Sequence, residues 1–161
     1  MEAIIIFFKE HFTREMAVLL TAAFPFIELR GAVPLAASWG MEPLKAFFLA
    51  LTGNILPIIP LLLLLDPFTT FLNRRFTICR RFFAWLHHRT LSRSEKVEKY
   101  GAIGLIFFTA VPLPTTGAWT ACVAAVLFQI PIRYAFPAIS TGVVIAGCLL
   151  LVLSYGLGGI F

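Results

Sequence analysis

Hydrophobic residues fill most of this chain, and the informative positions are those where a polar residue, proline or glycine interrupts an apolar run. Residues 16–39 form two apolar arms separated by Glu28, Arg30 and Gly31, which lie between Pro25 and Pro34. Each arm has about 10–14 apolar residues, too few to cross a bilayer that needs about 20 in a helix. The turn 40–43 places Pro43 where a helix starts well. Residues 44–65 are long enough to cross, although Thr52, Gly53, Asn54, Pro57 and Pro60 punctuate them. Asp66 then stands as a helix N-cap before residues 68–99. There, Phe68, Phe71, Leu72, Phe76, Cys79, Phe83 and Leu86 make one helical stripe. Apolar character returns at 101–110, breaks again in VPLPTTGAWTA (residues 111–121), and resumes at 123–128. A turn at 129–133 leads into a second long run at 134–153, which holds Ser140, Thr141 and Gly142.

The interruption at 24–36 is costly and therefore informative. An acid or a guanidinium at the centre of a membrane helix costs roughly 2.5–3.5 kcal/mol on insertion scales. On a continuous helix, Glu28 and Arg30 would point opposite ways, whereas in unwound backbone positions i and i+2 share a side. Pro25 and Pro34 disfavour helix around them, and Gly31 admits conformations that other residues resist. The pattern predicts a broken, re-entrant segment with Glu28 and Arg30 at its apex, near mid-membrane. Irregular backbone at that depth must be buried in protein or line a wet cavity. Pro112, Pro114, Thr115, Thr116 and Gly117 predict a second break of the same kind. Asn54 beside Gly53 offers an amide, either as interhelical hydrogen bonding or as a substrate contact.

Composition agrees with the pattern. The 161 residues are 60% hydrophobic and only 13% charged, against about 45–50% and about 25% in soluble domains. This predicts a single integral membrane domain. The net charge of +5 is concentrated at 74–99, where eight cations, including Arg74, Arg75, Arg80 and Arg81, face only Glu95 and Glu98. A basic amphipathic helix of this kind lies among anionic lipid headgroups, and the excess of cations puts residues 68–99 on the cytoplasmic side. Its aromatic stripe speaks for lipid and against nucleic acid. Cys79, Cys122 and Cys148 make neither a ligand spacing nor a disulfide framework, so no metal and no cofactor is expected. His87 and His88 are adjacent, a poor spacing for a metal pair on a helix. Residues 1–15 have no signal-peptide pattern and read as an interfacial helix.

The two halves can be laid side by side. Gly31-Ala32 matches Gly117-Ala118, residues 43–45 match 131–133, and Thr52-Gly53 matches Thr141-Gly142, at offsets of 86, 88 and 89. The expected fold is all-α: repeat 1 at about 15–66, the interfacial basic helix at about 67–99, and repeat 2 at about 100–155. Each repeat consists of a Pro/Gly-broken re-entrant hairpin plus one transmembrane helix. If the hairpins re-enter, each half crosses once and the repeats are inverted, with a site near the midplane at their interface. If they are kinked full spans, four crossings make the repeats parallel.

The motifs ELRGAVP at 28–34 and VPLPTTGAWT at 111–120 resemble the putative small multidrug export protein family of bacteria and archaea, over nearly the whole chain. This resemblance implies transport across the cytoplasmic membrane. The layout is more remotely similar to the DedA/VTT membrane proteins, which are linked to polyprenyl-phosphate or phospholipid translocation. Their pattern has an acid in the broken segment and arginines later. Glu28 fits the first and Arg133 the second, while the second break has Thr115 and Thr116 in place of an acid.

These readings make the chain a transporter of a small molecule or lipid-linked anion, with Glu28 able to load and release a proton. Arg30, which keeps its charge, would bind an anionic group or hold Glu28 ionised. Gly31, Pro34, Asn54, Pro112, Pro114, Thr115, Thr116 and Gly117 complete the expected site, with backbone N–H groups and hydroxyls forming a cradle for an anion. The alternative is a passive flippase or scramblase using the same cavity. No Ser/His, paired-acid or metal-ligand constellation in the spans suggests an enzyme. A homodimer would add walls to a path that one short chain encloses only in part.

Overall fold

The structure, a computed structural model, describes residues 13–65, 94–111 and 116–156, with the backbone alone for 94–99. Among them the chain is helical, without strands. In order come α1 (Arg14–Ala23), α2 (Glu28–Ser38), α3 (Pro43–Ile55), α4 (Ser94–Ala110), α5 (Ala118–Leu127) and α6 (Ile132–Gly156). Helix continues past α3 at 58–65, after a turn at 56–57, so Pro43–Leu65 forms a candidate span of 23 residues; α6 is the other, with 25. Residues 1–12 of the interfacial helix expected at 1–15 and residues 67–93 of the basic helix expected at about 67–99, with Arg74, Arg75, Arg80 and Arg81, lie outside the described residues, as do Pro112, Pro114 and Thr115.

The break before α2 has a local cause. Phe24, which precedes Pro25, is extended (φ −76°, ψ 133°) and ends α1. The chain turns through 24–27 and Glu28 enters α2 with φ 51°. A left-handed conformation at a non-glycine residue costs about 1–2 kcal/mol. Pro34, by contrast, does not break the helix. The amide it lacks would have served the Arg30 carbonyl, its ring lies on the exposed face, and α2 runs on to Ser38. Helix α4 likewise passes unbroken through Lys99–Tyr100, where the sequence pattern had suggested a change of element.

Helices α2 and α5 end alike. Gly40 N donates to Ala37 O (2.9 Å) and Met41 N to Ala36 O (3.1 Å); Gln129 N donates to Val126 O (3.1 Å) and Ile130 N to Ala125 O (2.8 Å). Both are Schellman ends with a left-handed residue, Gly40 at φ 64° and Gln129 at φ 55°.

The helix directions follow from a few contacts. Lys45 Nζ pairs with Glu15 Oε1, joining the starts of α1 and α3. Further along, the Gly53 Cα faces Leu19 O and Ala22, so α1 and α3 run side by side in the same direction. In the second half Gly101 lies on Ile130, beside the start of α6, and Gly142 faces Ile106 O and Thr109. Helices α4 and α6 therefore also run together. The two long helices are antiparallel. Tyr155 near the end of α6 donates to Met41 O (2.9 Å) just before α3, and Gly147 meets Phe47 in the first turns of α3.

Small residues make the core. Ala17, Ala22, Ala32, Ala36, Ala46, Ala50, Ala121, Ala125 and Ala135 are fully buried, while Phe26, Leu64, Phe107 and Val152 are well exposed. Only about a third of either long apolar helix is buried within the protein. A soluble core would enclose such residues. Small residues inside and bulky apolar ones outside is the arrangement of helices that pack in lipid. The protein is an integral membrane protein.

Candidate functional site

Both breaks meet at one point. Glu28, at the start of α2, is 7% exposed, and its Oε1 accepts a hydrogen bond from Trp119 N at 3.4 Å. Trp119 is the second residue of α5, whose first amides have no helical partner of their own. The N-cap residue is Gly117, which has no side chain to offer them, and Glu28 takes that role from 91 residues away. Gly117 is also what permits the approach, because a Cβ there would fall on the Glu28 carboxylate. Its own N–H donates to Thr120 Oγ1 (3.0 Å), and Trp119 Nε1 donates to Ala23 O (3.3 Å) at the end of α1. The start of α5 is thus held on both sides of the 24–27 break.

Arg30 Nη2 lies 4.0 Å from Glu28 Oε2. The left-handed backbone at Glu28 turns its side chain out of helical register, which lets residues two apart share a side. The pair lines a narrow pocket with Asn54, Thr109, Gly117 and Val143. Its open space, mouth included, is about 260 Å³, and its enclosed part has room for about one water molecule. Asn54 is the middle residue of Pro43–Leu65, and Val143 lies beside the middle of α6. The pocket therefore sits halfway along both long helices. Asn54 is 1% exposed and, among the described residues, its Oδ1 has no hydrogen-bond partner.

Of the residues expected from sequence, the structure brings Glu28, Arg30, Asn54 and Gly117 together around this pocket. Gly31 faces Ile27 and Thr21 instead, and Pro34 points outward. Thr116 Oγ1 donates to Val111 O (2.6 Å), bracing the second break. Arg133 stands at the start of α6 with its guanidinium over the Tyr134 ring, 4.8 Å from the centroid. Thr109 was not anticipated; its hydroxyl donates to Leu105 O (2.7 Å), as a threonine anywhere in an apolar helix can.

The family described as putative small multi-drug export protein matches residues 28–149 of this chain. The chain belongs to that family. The matched region begins at Glu28 itself and takes in every residue that lines the pocket except Leu150. The family's description carries a transport role, and the apolar helices carry the membrane setting. Comparison with curated proteins and with solved structures gave no match.

Proposed function

We propose that the protein moves a small molecule or a lipid-linked anion across the cytoplasmic membrane through the Glu28–Arg30 pocket, with Glu28 exchanging a proton. The observation that carries this reading is the buried carboxylate of one half set on the helix N-terminus of the other, midway along both long helices. Among the described residues, the charged or titratable groups facing Glu28 are Arg30 on its own helix and Cys122 on α5.

An inverted repeat with two re-entrant hairpins is the architecture we assign to it. In each half the first helix starts beside the third and runs with it, so the second helix must run back between them. Helices α1, α2 and α5 have 10, 11 and 10 residues, or about 15 Å each, half of a hydrocarbon core about 30 Å thick. At an offset of 89, buried Leu29, Ala32, Val33 and Ala36 fall on buried Ala118, Ala121, Cys122 and Ala125. The same offset superposes Gly40 on Gln129 and Gly53 on Gly142. With α3 and α6 antiparallel, the halves are inverted and the pocket falls at the midplane. The excess of cations at 74–99 orients that segment toward the cytoplasm.

The apolar flank of the pocket, Leu29, Val143, Ala146 and Leu150, favours a second reading. In that reading a lipid phosphate passes passively, its chains remaining in the bilayer. Proteoliposomes separate the two. With Glu28→Gln, proton-driven flux should fall to the empty-vesicle level, whereas passive lipid flipping should persist. If wild-type protein moves neither protons nor labelled lipid phosphate above background, the transport reading fails.

A further inference from the structure

The Glu28 carboxylate occupies a place that is built for an anion, and the fit is incomplete. Helix α5 directs its first amides and the positive end of its dipole at this point, and Gly117 leaves the backbone open to close approach. Arg30 lies beside it at 4.0 Å, beyond hydrogen-bond distance, so its fork of donors is not committed to Glu28. Asn54 Oδ1, almost fully buried on the same pocket wall, lacks a donor among the described residues. An ionised carboxylate cannot supply one. The enclosed space holds about one water, so a larger anion fits only where the carboxylate now sits.

We propose that the α5 N-terminus, with Arg30 and Asn54, is the receptor for a monoprotonated phosphate group, and that Glu28 is a tethered competitor which that group displaces. This rests on the transporter reading of the same pocket and adds the chemical class of its substrate. A monoprotonated phosphate has unprotonated oxygens for the α5 amides and the guanidinium, and a P–OH for Asn54 Oδ1. With a second pKa of about 6 for a phosphate ester, about a tenth of it is in this form at pH 7 and about half at pH 6. Sulfate has similar size and charge but no such donor. Displaced from α5, the Glu28 carboxylate loses its capping amides and is free to take up a proton, which links substrate entry to proton loading.

The test is equilibrium binding of inorganic phosphate and of sulfate to the full chain in nanodiscs of zwitterionic lipid. Glu28→Ala should bind phosphate at least about tenfold more tightly than wild type and should prefer it to sulfate. Glu28→Gln, which keeps the side-chain volume but not the charge, should shift the same way by a smaller factor. In the Glu28→Ala background, Asn54→Leu should erase the preference for phosphate, and Arg30→Gln should weaken both anions. Helicity and monodispersity establish that each variant is folded; if Glu28→Ala is not, Glu28→Gln decides. Equal or weaker phosphate binding in the folded variant overturns the proposal. Phosphatidic acid and methyl phosphate then compete for bound phosphate. Displacement by either supports the proposal and names a lipid or a soluble source, and displacement by neither overturns it. None of these readings needs flux. Tight phosphate binding without transport sinks the function proposed above and leaves this inference standing, while flux without tighter binding does the reverse.

Discussion

At Gly117 a single hydrogen atom decides the site. The residue is fully extended (φ 179°, ψ −176°), which any residue adopts, so alanine brings no backbone strain there. The methyl group would instead land on the Glu28 carboxylate and force it off the α5 amides. Overpacking of this kind costs roughly 1–3 kcal/mol, and about 2–4 °C of melting temperature accompanies each kcal/mol in a chain of this size. Gly117→Ala should therefore lower the thermal midpoint by several degrees and abolish proton-driven flux in proteoliposomes. A variant that melts and transports like wild type would show that the Glu28–α5 contact is dispensable. The acid and the guanidinium were legible in the sequence because a charge inside an apolar run demands a reason. Gly117 could be recognised as a breaker, but its contact with Glu28 could not, because glycine offers no chemistry to read. Thr109 escaped for the opposite reason: a lone threonine with its hydroxyl turned back on its own helix looks the same in a pocket as anywhere else.

At the level of helices, the ends are more telling than the middles. Pro25 stops α1 because the residue before a proline is pushed out of helical conformation, and that break was legible. Pro34 carries the same sequence signal, yet α2 absorbs it, with the proline ring on an exposed face. The difference is tertiary and cannot be found in the residue itself. The Schellman ends of α2 and α5 show a similar limit. Glycine at position 40 advertises its left-handed turn, whereas Gln129 adopts the same conformation under tertiary constraint. Such a residue is strained by about 1–2 kcal/mol, part of which glycine would give back through its freer unfolded chain. Gln129→Gly should thus stabilise the protein by about 0.5–1 kcal/mol, read as a small rise in thermal midpoint with flux unchanged. A fall in stability would mean that the Gln129 side chain contributes more than its backbone costs.

On the scale of the whole molecule, the question is which membrane face each turn occupies. The turns 39–42 and 128–131 precede the two long helices, and those helices are antiparallel, so the turns lie at opposite ends of the protein. If the two helices before each long one form a hairpin that folds back, they return the chain to the side from which it came. Inverted repeats then put Glu42 and Gln129, both exposed, in different compartments. Kinked full spans in place of hairpins would put them in the same one. Each can be replaced by cysteine after Cys79, Cys122 and Cys148 are removed, and sealed right-side-out and inside-out vesicles exposed to a membrane-impermeant maleimide. We expect the cysteine at 42 to label in one orientation only and the cysteine at 129 only in the other. The positive-inside rule further assigns the sides. With the basic segment after α3 in the cytoplasm, residue 42 at the far end of that span faces outward and labels in right-side-out vesicles. Labelling of both positions from one side would dismantle the inverted arrangement. The Glu28 cap on α5 would survive, because it depends only on the two breaks meeting.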